Sequence, residues 1–222
     1  MTEAGLRERF GALWKGLGAN AEPDVVADEV LQAYREPHRV YHGLDHLRDC
    51  LAQLDEAPDR PPEHALAEAA LWFHDLVYVP GAADNEARSA DRATAALLGG
   101  GVPEAGAREI ARVIRLTDHA SPAGDPLGAL VCDVDLSILG RPPAEFAEYE
   151  RRIRAEYRHV PEPLYRAGRA AVLTRLLGRR WLYGSTHFRS RYEEAARRNL
   201  ARSLAALSRP VDSDADHVGG PR

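Results

Sequence analysis

Long apolar runs, cysteine, lysine and strand-like alternation are all scarce in this 222-residue chain, and each scarcity removes an option. No stretch approaches the roughly 20 consecutive apolar residues of a membrane-spanning helix, so no membrane partner is expected. The segment MTEAGLRERFGALWKGLG carries charge and helical pattern instead of the apolar block and small-residue cleavage site of a secretory signal. Cys50 and Cys132, the only cysteines, make no disulfide framework, which points to a reducing cytoplasm. A formal net charge of -5 argues against a chain built mainly to coat nucleic acid, although two or three local arginines can still bind a phosphorylated small molecule. Lys15 is the sole lysine among 29 basic residues. Together with the many alanines, that imbalance reads as the codon bias of a GC-rich genome and not as phosphate recognition.

What is abundant is helical periodicity on a hydrophobic content of 45%, normal for a globular core. Breakers divide the pattern into ten expected helices near 3–17, 23–35, 42–56, 62–78, 84–98, 104–118, 125–139, 143–158, 162–178 and 187–207. Pro37, Pro61, Pro62, Pro80, Pro103, Pro122, Pro142, Pro143, Pro161 and Pro163 fall between these segments or at their starts, where proline removes no internal hydrogen bond. Short connections and the lack of a repeat imply an all-α, single-domain helical bundle over residues 1–209. The tail 210–222, PVDSDADHVGGPR, has little to bury and is expected to be disordered, which sets His217 aside. The long amphipathic C-terminal helix could pair with a second copy of the chain, making a homodimer, or simply close the bundle.

Three segments carry chemistry. In YHGLDHLRDCL (41–51), His42 and His46 are four apart, so a helix would project both rings from one face, with Asp49 near the same stripe. One core and one surface histidine would give the same spacing. In ALAEAALWFHDLVYVPG (65–81), the adjacent His74 and Asp75 sit among Leu71, Trp72, Phe73, Leu76 and Val77. Burying that pair costs several kcal/mol, on the order of a buried ion's penalty, unless an arginine, hydrogen bonds or a metal compensates. In ALVCDVDLSILG (129–140), Asp133 and Asp135 interrupt another buried stretch. Two residues apart on a helix, they point in different directions, so one could bind an ion while the other caps or orients a histidine.

The order His46, His74-Asp75, later Asp resembles the H…HD…D signature of the HD superfamily of metal-dependent phosphohydrolases. YHGLDHLRDCL is similar to the YHNxxHAxDVL signature of cyclic-nucleotide phosphodiesterases within that superfamily, with Gly43 where asparagine is usual. DVDLSILG is similar to their ADLSNP segment. Over nearly the whole chain the pattern looks like a bacterial group of predicted HD phosphohydrolases. Its marks here are Arg39 and Tyr41-His42, then His74-Asp75 and Val77-Tyr78, Asp84-Asn85-Glu86 with Ser89-Ala90, DVDLSILG, and Ala196-Arg197-Arg198-Asn199-Leu200. The resemblance implies an HD-type helical bundle with His46, His74, Asp75 and Asp135 as metal ligands and His42 as general acid. It also implies a small phosphorylated substrate, plausibly a nucleotide. A cyclic nucleotide is not implied, because the longer C-terminal pocket of those enzymes is absent. Two imidazoles and two carboxylates suit Mn, Co, Fe, Zn or, less readily, Mg. Such an ion can lower the pKa of water toward roughly 7 and polarise a phosphoryl oxygen.

Glu86, Asn85 and Ser89 follow the His-Asp segment closely. Glu86 is a candidate base or partner near the ion, set against an ordinary acid favoured by a helix dipole. Asn85 and Ser89 are candidate substrate contacts, and Asp84 reads as an N-cap. His119, at a helix end, is either a C-terminal cap or a pocket residue. Arg169, in an alanine- and leucine-rich helix, leads Arg39, Arg88, Arg115, Arg166 and Arg175 as a phosphate clamp. Two other functional classes remain open on these residues: an HD-fold di-iron oxygenase, recruiting His119 and Glu86 around a second ion, and a non-catalytic nucleotide-binding module.

Overall fold

A computed structural model describes residues 1–57 and 64–209. Residues 58–63, with Pro61 and Pro62, and the tail with His217 lie outside the described residues. Among the described residues there is no strand. The elements are α1 (Glu3–Gly16), α2 (Asp24–Ala33), α3 (Leu44–Glu56), α4 (His64–Phe73), α5 (Asn85–Gly99), α6 (Glu104–Leu116), α7 (Pro126–Asp135), a 3₁₀ segment (Leu136–Gly140), α8 (Pro143–Glu156), α9 (Glu162–Leu177) and α10 (Thr186–Leu207). All ten expected helices are present, and the chain is all-α.

Helix α4 is the axis of the bundle. Apart from His64 and Glu68 it is apolar, and Ala67, Ala69, Ala70, Leu71, Trp72 and Phe73 are each at most 1% exposed, as befits a helix largely surrounded by protein. It packs on α1, α3, α5, α6 and α7. Phe10 of α1 meets Trp72 edge-on at 5.2 Å between ring centroids and Phe73 at 6.1 Å. Burying each such aromatic side chain contributes about 2–3 kcal/mol. Helix starts follow local chemistry. Asp125 caps α7 by accepting from the Gly128 N–H at 3.0 Å, with Pro126 at its first position. Ser185 caps α10 through the Phe188 N–H.

Most boundaries fall within two residues of expectation, and three of those that differ lie where the candidate ligands stand. The helix expected over 62–78 stops at Phe73, leaving His74 and Asp75 just beyond its end and not at its centre. Arg39 ends it: its buried guanidinium donates to the carbonyls of Asp75, at 2.6 Å, and Leu76, at 3.4 Å. The helix expected from 42 begins at Leu44, so His42 precedes it. Gly43 sits at the cap, where a Cβ would make a tight contact, 3.3 Å, with the Tyr34 carbonyl oxygen. The third helix tightens after Asp135 into the 3₁₀ segment. Asn199 of α10 holds that segment by donating to the Leu139 and Arg141 carbonyls, and Tyr183 Oη donates to that of Leu136.

Gly140 lets α10 close over this segment: a Cβ would lie 2.5 Å from Tyr192 Cβ and 2.9 Å from its Cα. The obstruction is partly backbone, so it cannot rotate away. Gly140→Ala is therefore expected to destabilise the fold by about 1–3 kcal/mol, measured by urea denaturation. An unchanged midpoint would show that α10 is not seated on the 3₁₀ segment.

Candidate metal centre

His46 lies in the first turn of α3, His74 and Asp75 directly follow α4, and Asp135 is the last residue of α7. Their polar atoms converge. His46 Nε2 and His74 Nε2 are 3.1 Å apart. Asp135 Oδ1 lies 3.2 Å from the first and 3.7 Å from the second. Asp75 Oδ2 lies 3.6 Å and 3.1 Å from the same two nitrogens. Two ligand atoms each about 2.1 Å from one ion are about 3.0 Å apart at a right angle and about 3.4 Å apart at the tetrahedral angle. The observed separations cluster around those values. Cys50 Sγ, 3.7 Å from His46 Nε2, completes a His46, Cys50, His74, Asp135 group whose ligand atoms all lie within 4.8 Å of one another. This cluster could hold a metal ion.

The hydrogen bonding around the cluster fits a cation. His74 Nδ1 lies 2.8 Å from the Leu71 carbonyl, which takes the ring's N–H and leaves the Nε2 lone pair directed at the centre. Asp75 Oδ2 is buried and has no hydrogen-bond partner, a situation costing about 1–3 kcal/mol or more for a charged group. Without a cation, protons are drawn in. Burial lowers the His74 pKa, but Asp75 and Asp135 outweigh it and lift the imidazole to about 9. Burial raises both carboxyls, yet the surrounding imidazoles hold Asp75 and Asp135 well below the ordinary range. Burial also pushes the Cys50 thiol well up, so it stays protonated. Asp75 Oδ2, unpartnered and near both imidazole nitrogens, is a second carboxylate beside the His46, Cys50, His74, Asp135 group.

His42 stands beside this cluster, its ring centroid 5.6 Å from that of His46. Its Nδ1 lies 2.7 Å from Glu156 Oε2. Glu156, at the end of α8 and 3% exposed, also accepts the backbone N–H groups of Val40, Tyr41 and His42 at 2.8, 2.7 and 2.9 Å, and the Tyr78 hydroxyl at 2.7 Å. Burial disfavours both charges, but the pair overcomes it: the Glu156 pKa falls from 4.5 to about 2 and that of His42 rises. With Nδ1 committed to Glu156, Nε2 is the ring nitrogen left for a ligand.

The remaining candidates divide. His119 comes to the centre: its Nε2 lies 2.8 Å from Asp135 Oδ2, so the two oxygens of one carboxylate face the cluster and His119. Burial disfavours its charge, but Asp135 raises its pKa to about 10. His119 holds a positive φ of 50°, uncommon for a residue with a side chain. Glu86 is half-buried, and its carboxyl is pushed up by burial and by the charges of Asp75 and Asp118. Asn85 and Ser89 are not brought to the centre as substrate contacts. Asn85 exchanges two hydrogen bonds with the Val79 backbone and Ser89 two with that of Val77, strapping the segment after His74-Asp75 to α5. Asp84 takes the N-cap position but makes no side-chain cap. Arg169 meets Glu150, the Tyr149 hydroxyl and the Tyr149 ring in place of a free clamp position. Asp49 pairs with Arg141 at 2.8 Å. Asp133 accepts the Gly184 and Ser185 N–H groups at 2.6 and 2.8 Å and so positions the entry to α10.

Comparison with protein-family models, curated proteins and solved structures returned no match. The geometry therefore carries the reading. Glu156 and Cys50 were missed as candidates. Glu156 lies in ERRIRAEYRHV, where an arginine-rich helix suggests solvated ion pairs, and only the three-dimensional arrangement brings it to residues 40–42. Arg39 fills a backbone-capping role instead of that of a phosphate clamp.

Glu156→Gln removes charge from five hydrogen bonds and is expected to cost about 2–3 kcal/mol at neutral pH. Because the folded carboxyl is depressed from 4.5 to about 2, its contribution is fully present above 4.5 and fades as pH falls toward about 2. Urea midpoints of the two proteins should differ at pH 7 and converge by about pH 2–3. Parallel profiles over that range would remove Glu156 from the account of acid stability.

Proposed function

We propose that the chain is an HD-type metal-dependent phosphohydrolase acting on a small phosphorylated molecule, with His46, His74, Asp75 and Asp135 as ligands of a divalent ion. The observation that carries this reading is the convergence of one oxygen each of Asp75 and Asp135 on the His46 and His74 Nε2 atoms, at 3.1–3.7 Å, with the two nitrogens 3.1 Å apart. A divalent ion there supplies Lewis-acid polarisation of a phosphoryl oxygen and a lowered pKa for water. Mn, Co, Fe and Zn suit the nitrogen–oxygen set better than Mg.

The protein's own residues supply the proton chemistry and the orientation. Glu156 holds His42 through Nδ1 and favours its protonated form, so Nε2–H is the group that protonates the leaving oxygen. Glu86, with its raised pKa near Asp75, is the candidate proton acceptor. His119 fixes the second oxygen of Asp135 and so orients the first toward the centre. Tyr41, 4.9 Å from both the His42 and His46 rings, keeps water from that side.

One ligand group converges among the described residues, which supports hydrolysis at a single ion. The reading places the enzyme in the cytoplasm. Among the described residues no helix is long and apolar enough to cross a membrane.

Binding of Mn, Co, Zn or Fe to metal-free protein is expected to raise Tm. An ion at about a thousand times its Kd contributes about 4 kcal/mol, a shift on the order of 10 °C for a chain of this size. His74→Ala and Asp75→Ala should lose both that shift and phosphate release from a panel of organic phosphates. Turnover retained in both variants would falsify the metal mechanism. His42→Gln should keep the Tm shift while lowering kcat about 10²–10⁴-fold; equal loss of both would make His42 structural. Tight nucleotide binding without turnover would favour the binding module.

A further inference from the structure

A groove of about 1020 Å³ runs between α7 and the segment leading into α10, and His119 forms part of its wall. That volume is at the upper end of small-molecule sites, roughly 300–1,000 Å³. His119 thus belongs to both places: its imidazole holds Asp135 at the metal centre, and its backbone carbonyl accepts from Arg179 of the groove.

The groove's charge is unbalanced. Most arginines of this chain have a carboxylate within 4.0 Å, but among the described residues Arg179, Arg180 and Arg189 have none. The acids lining the same groove are engaged elsewhere. Asp125 pairs with Arg112, and Asp133 accepts the Gly184 and Ser185 N–H groups. Arg179 is half-buried, and burial and the nearby Arg175 disfavour its charge, only partly offset by Asp118. Arg189 donates to the Tyr183 and Gly184 carbonyls and acts on Asp133, which leaves Arg179 and Arg180, neither with a carboxylate within 4.0 Å among the described residues, as the guanidinium groups of the groove that can receive an anion. Beside them Trp181 is 45% exposed, with Arg189 over its ring at 5.3 Å. Leu130 and Leu182 add apolar wall. An indole so placed offers a stacking surface to a flat ring.

We propose that this groove holds the non-reacting part of a ring-bearing polyphosphate, of the nucleoside di- or triphosphate class, with an inner phosphate on Arg179 and Arg180 and the ring against Trp181. His119, which lines the groove and contacts Asp135, marks the side on which the terminal phosphate would face the metal centre. The proposal rests on the hydrolase reading for the direction of the ligand, but groove binding itself is separable from metal chemistry.

The test uses the whole protein in EDTA, with Trp181 fluorescence as the readout, since Trp14 and Trp72 are fully buried. ADP should quench saturably, and more tightly than adenosine, which lacks phosphate, or pyrophosphate, which lacks a ring. Arg180→Ala alters a side chain with no recorded contact and should weaken ADP about ten- to hundredfold, the worth of a charged hydrogen bond. Its thermal unfolding should be unchanged. Trp181→Phe should abolish the signal, with calorimetry reporting weaker binding. His74→Ala should still bind ADP in EDTA while failing to hydrolyse it with Mn, which separates failure of the groove from failure of the metal centre. No saturable ADP response, equal affinity for adenosine, or an unaltered Kd in Arg180→Ala would overturn the proposal.

Discussion

Two imidazole nitrogens 3.1 Å apart, with a carboxylate oxygen of Asp75 and of Asp135 at 3.1–3.7 Å from each, are the constraint to which the surrounding chain conforms. Like atoms at that distance repel unless a cation or protons lie among them. The fold meets this by bringing helix ends, not helix middles, to one point: α3 begins there, and α4 and α7 finish there. Helix ends leave backbone groups without partners, and beyond α4 and α7 side chains take up the carbonyls. His74 takes the Leu71 carbonyl, Arg39 those of Asp75 and Leu76, and Tyr183 and Asn199 those of the 3₁₀ segment. The devices that terminate the helices also aim the ligands.

Buried charge elsewhere follows the same economy. Arg39 and Glu156 lie on either side of the His42 segment, one supplying donors to carbonyls and the other accepting from N–H groups. Neither relies on a partner of opposite charge alone. Backbone dipoles carry much of the compensation, which lets both side chains stay ionised away from water. The histidine between them is thereby fixed in position and in tautomer.

The helices were legible in the sequence because their apolar periodicity is local and the breakers between them are prolines and glycines. His74 and Asp75, and Asp133 with Asp135, stood out because titratable groups interrupt apolar runs, whereas the choice of Asp135 over Asp133 and of His46 over His42 as ligand came from the resemblance of the motifs to HD proteins. The helix boundaries near them were not legible: Leu44 to Glu56 and His64 to Phe73 are shorter than periodicity implies because Gly43 and Arg39 act through contacts with distant backbone. Asn85 and Ser89 look like pocket residues in sequence, since a polar side chain strapping a loop has the same signature as one facing a ligand. Glu156 gave no signal, surrounded as it is by arginines at helical spacing and separated by 114 residues from His42.

That separation orders the assembly of the protein in time. A chain emerging from the ribosome folds from its N-terminal side first. The loop carrying Val40, Tyr41 and His42 is made long before the carboxylate that will fasten its three amide groups. Until α8 docks, the nascent bundle can gather His46, His74 and Asp75 but has a wandering imidazole at their side. The fixed orientation of His42 is therefore a late property of biosynthesis, acquired only when the second half of the polypeptide closes over the first.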